Sequence, residues 1–152
     1  MRRFLENALQ FVATYLRALW TPVDVGVLAL VEQGNKVVLV RHSYKSGWML
    51  PGGAVRRGEP PAEAVVREMQ EEIGLTHWAT PQLMGAFVRP KGFATNLVIL
   101  FRVREAVFVF KPNFEIRAIR LVDPAAPPDD ASPATKRRLK ELIGEASVAP
   151  YW

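Results

Sequence analysis

Six consecutive residues, Arg67-Glu68-Met69-Gln70-Glu71-Glu72, carry the densest chemistry in the sequence. Glu68 precedes Glu71 by three positions and Glu72 by four. At about 100° per residue, a helix sets all three carboxylates on one side. Like charges at these spacings repel by roughly 0.2–0.5 kcal/mol per pair on an exposed helix, so a helix built only for solvation would gain from interleaved lysines. A doubly positive ion among them removes the repulsion, and hard divalent cations such as Mg²⁺ take oxygen ligands of this kind. Arg67 can pair with Glu71 one turn on and hold a carboxylate with its two-pronged fork. Its expected role is to orient the acids rather than to ligate or donate a proton.

The surrounding residues predict how such a helix is placed. It should start near Pro60-Pro61, since proline is tolerated in the first turn, and end at Gly74, a left-handed cap. Ala62, Val65, Val66, Met69 and Ile73 recur at helical spacing and predict a buried face opposite the acids. Pro51, Gly52 and Gly53 lie before the helix and Gly58 in the same loop. These glycines suit a tight turn and close approach of backbone to a ligand.

Residues 53–75 read GAVRRGEPPAEAVVREMQEEIGL. They resemble the signature of the Nudix hydrolases, Gly-x5-Glu-x7-Arg-Glu-U-x-Glu-Glu-x-Gly-U, with U a bulky apolar residue. Gly53, Glu59, Arg67, Glu68, Met69, Glu71, Glu72, Gly74 and Leu75 fill its fixed positions without departure. The resemblance implies an α+β Nudix fold, a mixed β-sheet sandwiched between α-helices. It implies hydrolysis of a phosphoanhydride in a nucleoside diphosphate linked to another moiety, of the nucleoside triphosphate or ADP-ribose/ADP-sugar type, with Mg²⁺ or Mn²⁺. It also implies that Glu68, Glu71 and Glu72 are metal ligands, with the Gly53 carbonyl as a further one. Glu68, or an acid from a later loop, would be the general base. Glu115 is the preferred extra acid, with Glu105 as the alternative. Glu59 is expected to anchor the loop to the helix.

Substrate contacts are less sharply marked. Arg41, His42, Tyr44 and Lys45 precede the Gly loop and could face phosphates; Trp48 and Phe93 could stack a base. Pro90 stands fifteen residues after Leu75, where family members acting on ADP-ribose resemble one another in having proline, but no acid follows it in Phe93-Ala94-Thr95-Asn96. The alternatives are removal of pyrophosphate from RNA 5′ ends, and a Nudix module that binds nucleotides without turnover. No stable nucleic-acid partner is expected.

The rest of the chain supplies the frame. At 152 residues it fits one domain. Absence of cysteine excludes disulfides and thiolate metal sites. The net charge of +5 favours polyanionic substrates. No apolar run approaches the roughly 20 residues that span a bilayer, and the expected location is the cytoplasm. Residues 1–20 read as an added amphipathic helix that packs on the domain, makes a homodimer contact or lies on a membrane surface. The Nudix domain is assigned to 21–146 and a tail to 147–152, whose closing aromatics are either packed or a contact. Strands are expected at 23–32, 36–42, 82–89, 96–103, 107–111 and 116–122. Gly34-Asn35 should form a hairpin turn, Pro90-Lys91-Gly92 should break the third of these strands, and a terminal helix should follow at 134–143 after a proline-rich connector.

Overall fold

The computed structural model describes residues 23–91 and 94–152. The element order is β1 (Val23–Gln33), β2 (Lys36–His42), β3 (Gly52–Ala54), α1 (Pro61–Ile73), β4 (Leu75–His77), β5 (Gln82–Lys91), β6 (Ala94–Val103), β7 (Val107–Phe108), β8 (Ile116–Val122) and α2 (Pro133–Leu142). Five strands form a sheet in the order β5-β6-β1-β2-β8, and β3 joins it through β1. The β1–β6 pair is parallel and the other pairs are antiparallel, so the sheet is mixed. β4 and β7 form a separate two-stranded ribbon.

The sheet is buried on both faces, which explains why its central strands read as nearly unbroken apolar runs. Along β1 and β2, Val27, Ala29, Val31, Val38 and Val40 point into one core with Ala64, Val65, Met69 and Ile73 of α1. Their alternates Leu30, Val37 and Leu39 point into a second core with Phe87, Leu100 and Leu139 of α2. The period of two along the strands thus divides one apolar sequence between two helices. The result is a mixed sheet flanked by two helices.

Helix α1 begins after Pro60, with Pro61 inside the first turn, and stops at Gly74 in the left-handed conformation, φ 70°. Its apolar face differs from expectation at one position: Ala64 is buried, whereas Ala62 is exposed in the first turn, before the helix meets the sheet. Pro90 does not break its strand. β5 continues through it to Lys91, with Pro90 opposite Thr95. β5 is an edge strand, and Val88 N, two residues earlier, points away from β6 to Pro150 O. The nitrogen of Pro90 faces the same outer side, where no ladder donor is needed. The strand expected at 107–111 shortens to Val107–Phe108. The added helix at 1–20, Gly92 and Phe93 lie outside the described residues. No helix among the described residues is long and apolar enough to cross a membrane.

Candidate functional site

Glu72 is the most buried acid of the box, 2 % exposed. Helix α1 turns it toward the sheet, and its Oε2 accepts a hydrogen bond from Gly52 N at 2.8 Å. Its other oxygen, Oε1, is buried with no hydrogen-bond partner among the described residues. Burial, reinforced by the charges of Glu68, Glu115 and Glu71 and opposed by the Gly52 bond, pushes its pKa up to about 8. An ionised carboxylate in such surroundings is costly unless a cation joins it.

The partners of Glu72 come from two distant strands. His42 ends β2 and Glu115 stands just before β8; each offers a ligand atom to a group, shared with Glu72, within 4.8 Å of one another. Burial, then the nearby Lys45 charge, lowers the His42 pKa, which favours the neutral ring that binds metals. His42 Nδ1 is also buried and without a partner among the described residues. Two orphaned buried atoms and a carboxylate at this spacing fit a divalent cation. A His/Glu/Glu cluster able to hold such an ion is therefore built into the sheet end of the box.

Glu68 and Glu71 lie outside that tight group. They are close enough to raise the Glu72 pKa, but Arg67 holds both: its Nη1 donates to Glu68 Oε1 at 2.6 Å and to Glu71 Oε2 at 3.3 Å. The expected Arg67–Glu71 pair is thus the longest of its contacts. Its fork closes instead on Glu59, with Nε to Oε1 at 2.7 Å and Nη2 to Oε2 at 2.9 Å, and Nη2 also donates to Ala54 O at 3.0 Å. Glu59 Oε2 accepts from Arg56 N as well. These bonds hold the Glu59 pKa down, at about 2, and join the loop to the helix. Gly53 lies close against Glu68: a Cβ built there would lie 2.5–2.7 Å from the Glu68 carboxylate atoms and displace that carboxylate.

Asn113, which the sequence does not flag, fixes Glu115. Its Oδ1 accepts from Glu115 N and Ile116 N at 3.0 and 2.7 Å, and its Nδ2 donates to Glu71 O at 3.2 Å. Ser43 N donates to Glu115 O, closing the loop against β2. Asn113 therefore ties the end of α1 to the acid that faces Glu72.

The site opens into a cleft of about 1210 Å³ whose lining includes the basic residues Lys45, Arg56, Arg57, Arg89 and Arg137. Tyr44 is exposed on its rim and donates to Glu115 Oε1 at 3.1 Å, with Lys45 Nζ 5.4 Å from its ring centroid. Two expected substrate contacts are spent elsewhere. Trp48 is buried in the α2 core and covered by the Arg41 guanidinium 4.6 Å from its ring centroid, so it presents no open face to a base. Arg41 is itself paired with Asp130 and borders a separate, smaller pocket. Pro90 sits in the β5–β6 hairpin. Glu105 takes a left-handed turn conformation, φ 54°, outside the metal group.

The NUDIX domain profile matches residues 20–142, and the chain belongs to the Nudix family. It is 35% identical over 86 residues to an ADP-ribose pyrophosphatase of Methanocaldococcus jannaschii, covering 52% of this chain and 50% of that one. It is 38% identical over 52 residues to an RNA pyrophosphohydrolase of Hydrogenovibrio crunogenus, covering 34% and 31%. The matches thus span half or less of these relatives' length. Among solved structures, a MutT Nudix hydrolase from Burkholderia pseudomallei superposes with a TM-score of 0.69 at 20% identity, covering 79% of this chain and 98% of that one. A UDP-X diphosphatase does so with a TM-score of 0.69 at 21% identity, covering 93% and 73%. At these identities the likeness shows the fold.

Proposed function

We propose that the chain is a Mg²⁺- or Mn²⁺-dependent hydrolase that cleaves a phosphoanhydride in a nucleoside diphosphate linked to another moiety. The observation that carries the reading is the buried, unpartnered Glu72 Oε1 beside His42 and Glu115, two residues that line a basic cleft. Glu68, Glu71, Glu72 and the Gly53 carbonyl are assigned to hold the ion, with His42 and Glu115 completing the set. A bound divalent ion neutralises phosphoanhydride charge and lowers the pKa of water.

The chain's own residues do the remaining work. Arg56, Arg57 and Lys45 draw the polyanion into the cleft. Arg67 and Glu59 hold the loop and helix in register, which fixes the backbone from which the acids reach the ion. Water attacks phosphorus, its proton passes to Glu68 or Glu115, and the P–O anhydride bond breaks with the electron pair leaving on the phosphate of the departing group.

The test is a Mg²⁺-dependent hydrolysis screen over nucleoside triphosphates, oxidised triphosphates, ADP-ribose, ADP-sugars, dinucleoside polyphosphates and a 5′-triphosphorylated RNA. Turnover of a free nucleotide that stops with a chelator supports the reading. Turnover of the RNA alone selects the alternative, which the basic lining and the RNA pyrophosphohydrolase relative favour. Tight nucleotide binding with no turnover under Mg²⁺, Mn²⁺ or Co²⁺ overturns both in favour of a binding module.

A further inference from the structure

Part of the cleft wall comes from the tail, and the metal chemistry makes no use of it. Residues 149–152 run along the outer edge of β5: Val88 N donates to Pro150 O at 3.1 Å and Trp152 N to Val88 O at 3.0 Å. Arg138 of α2 bolts them down. Its side chain is fully buried, and Nη2 donates to Tyr151 O at 3.1 Å and reaches Ala149 O at 3.4 Å. The charge is balanced by Glu141 at 2.9 Å, whose Oε1 also accepts from Ala149 N. The guanidinium lies 4.0 Å from the Phe87 ring centroid and 5.5 Å from that of Trp152, and Phe87 meets Trp152 edge-on at 5.9 Å. Backbone pairing, a buried cation and an aromatic neighbour thus fix one indole in place.

That indole lines the same cleft as Gly53 and Glu115. Arg89 shares the Phe87 side of β5 by strand alternation, and its Nη2 donates to Asn96 Oδ1 at 2.9 Å. Asn96 is 8% exposed, yet borders the cleft. Gly26 lies beside both Asn96 and the Gly53 backbone. A Cβ there would stand 3.4 Å from the Gly53 carbonyl oxygen and 3.9 Å from Asn96 Nδ2. A bare glycine therefore leaves the floor open from the ion-binding backbone to an amide, a guanidinium and an indole. Asn96 Nδ2 donates to Asp24 O at 3.4 Å, a long bond that leaves its second hydrogen for a ring edge, and an indole offers a face to any planar base.

We propose that Trp152, Asn96 and Arg89 form the end of the cleft that receives the heteroaromatic base of the substrate, which makes the tail-borne Trp152 a specificity-determining residue. The proposal rests on the nucleotide reading above.

The experiment compares steady-state hydrolysis of a nucleoside triphosphate with that of ribose 5-triphosphate, which lacks the base, in wild type, Trp152→Ala and Trp152→Phe. Loss of one stacked base predicts a kcat/KM lower by about tenfold for the nucleotide in Trp152→Ala, carried by KM, with no change for the base-free substrate. Trp152→Phe should recover most of it. Calorimetric affinity for a methylene-bridged nucleotide should fall by the same factor. Equal losses on both substrates, or no loss on either, overturn the proposal while leaving hydrolysis intact. A wild type inactive on every nucleotide overturns the reading beneath it instead.

Discussion

Glu72→Gln should abolish turnover and yet make the metal-free protein more stable. In the unfolded chain this carboxyl titrates near 4.5; in the fold, burial pushes it up to about 8. A raised carboxylate pKa means that the folded state binds the extra proton. The penalty is absent below about 4.5, grows by about 1.4 kcal/mol per pH unit above it, and levels off above about 8. At pH 7 it amounts to something on the order of 3 kcal/mol. An amide mimics the protonated acid, can still accept from Gly52 N, and escapes the penalty. Thermal unfolding in chelator at pH 7 should therefore show the variant higher by roughly 10 °C, with the curves converging near pH 4.5. Mg²⁺ at about 1,000 times its Kd should reverse the order, because it then adds about 4.1 kcal/mol to the form that binds it. A variant less stable than wild type in chelator, or a gap that does not change with pH, would refute the reasoning.

Three other outcomes follow from the same geometry. Gly53→Ala places a methyl against the Glu68 carboxylate; kcat should fall at least about tenfold with little change in Tm, checked by kinetics beside a melting curve. Arg67→Lys keeps the charge but loses the fork on Glu59 and the bonds to Glu68 and Ala54. A cost of roughly 10–100-fold in activity or metal affinity is expected from a Mg²⁺ titration. Asn113→Ala frees Glu115 from Glu71 O; the Mg²⁺ concentration for half-maximal rate should rise severalfold, while a Tm loss alone would make Asn113 merely structural.

Helix α1 was legible because its signals are local. Two prolines, a closing glycine and the spacing of Val65, Met69 and Ile73 act within a few residues of one another. The division of acids on that helix was not legible. Spacing places Glu68, Glu71 and Glu72 on one side, but Arg67 draws two of them away and the sheet buries the third. His42 could be flagged only as a residue before the Gly loop. Its place beside Glu115 depends on β2 pairing with β8, His42 opposite Ile116 across a bulge, a register no local pattern reveals. Pro90 misled for the same reason, since a proline ends a strand or not according to whether its own nitrogen faces a paired strand. The α2 bolt through Arg138 was not legible, since Lys136, Arg137, Arg138 and Lys140 look alike in sequence; Arg138 is buried because tail carbonyls and Glu141 meet its donors.

The tail on β5 has a consequence for how copies of the chain meet. β5 is an exposed terminal strand of the sheet, with Leu83 67%, Met84 40% and Val88 37% accessible. Such an edge invites another strand, and through it uncontrolled association. By occupying both main-chain groups of Val88, residues 150–152 take the place that an incoming strand would claim. The segment that walls the cleft also keeps the sheet from growing, so selection on the one cannot act without touching the other.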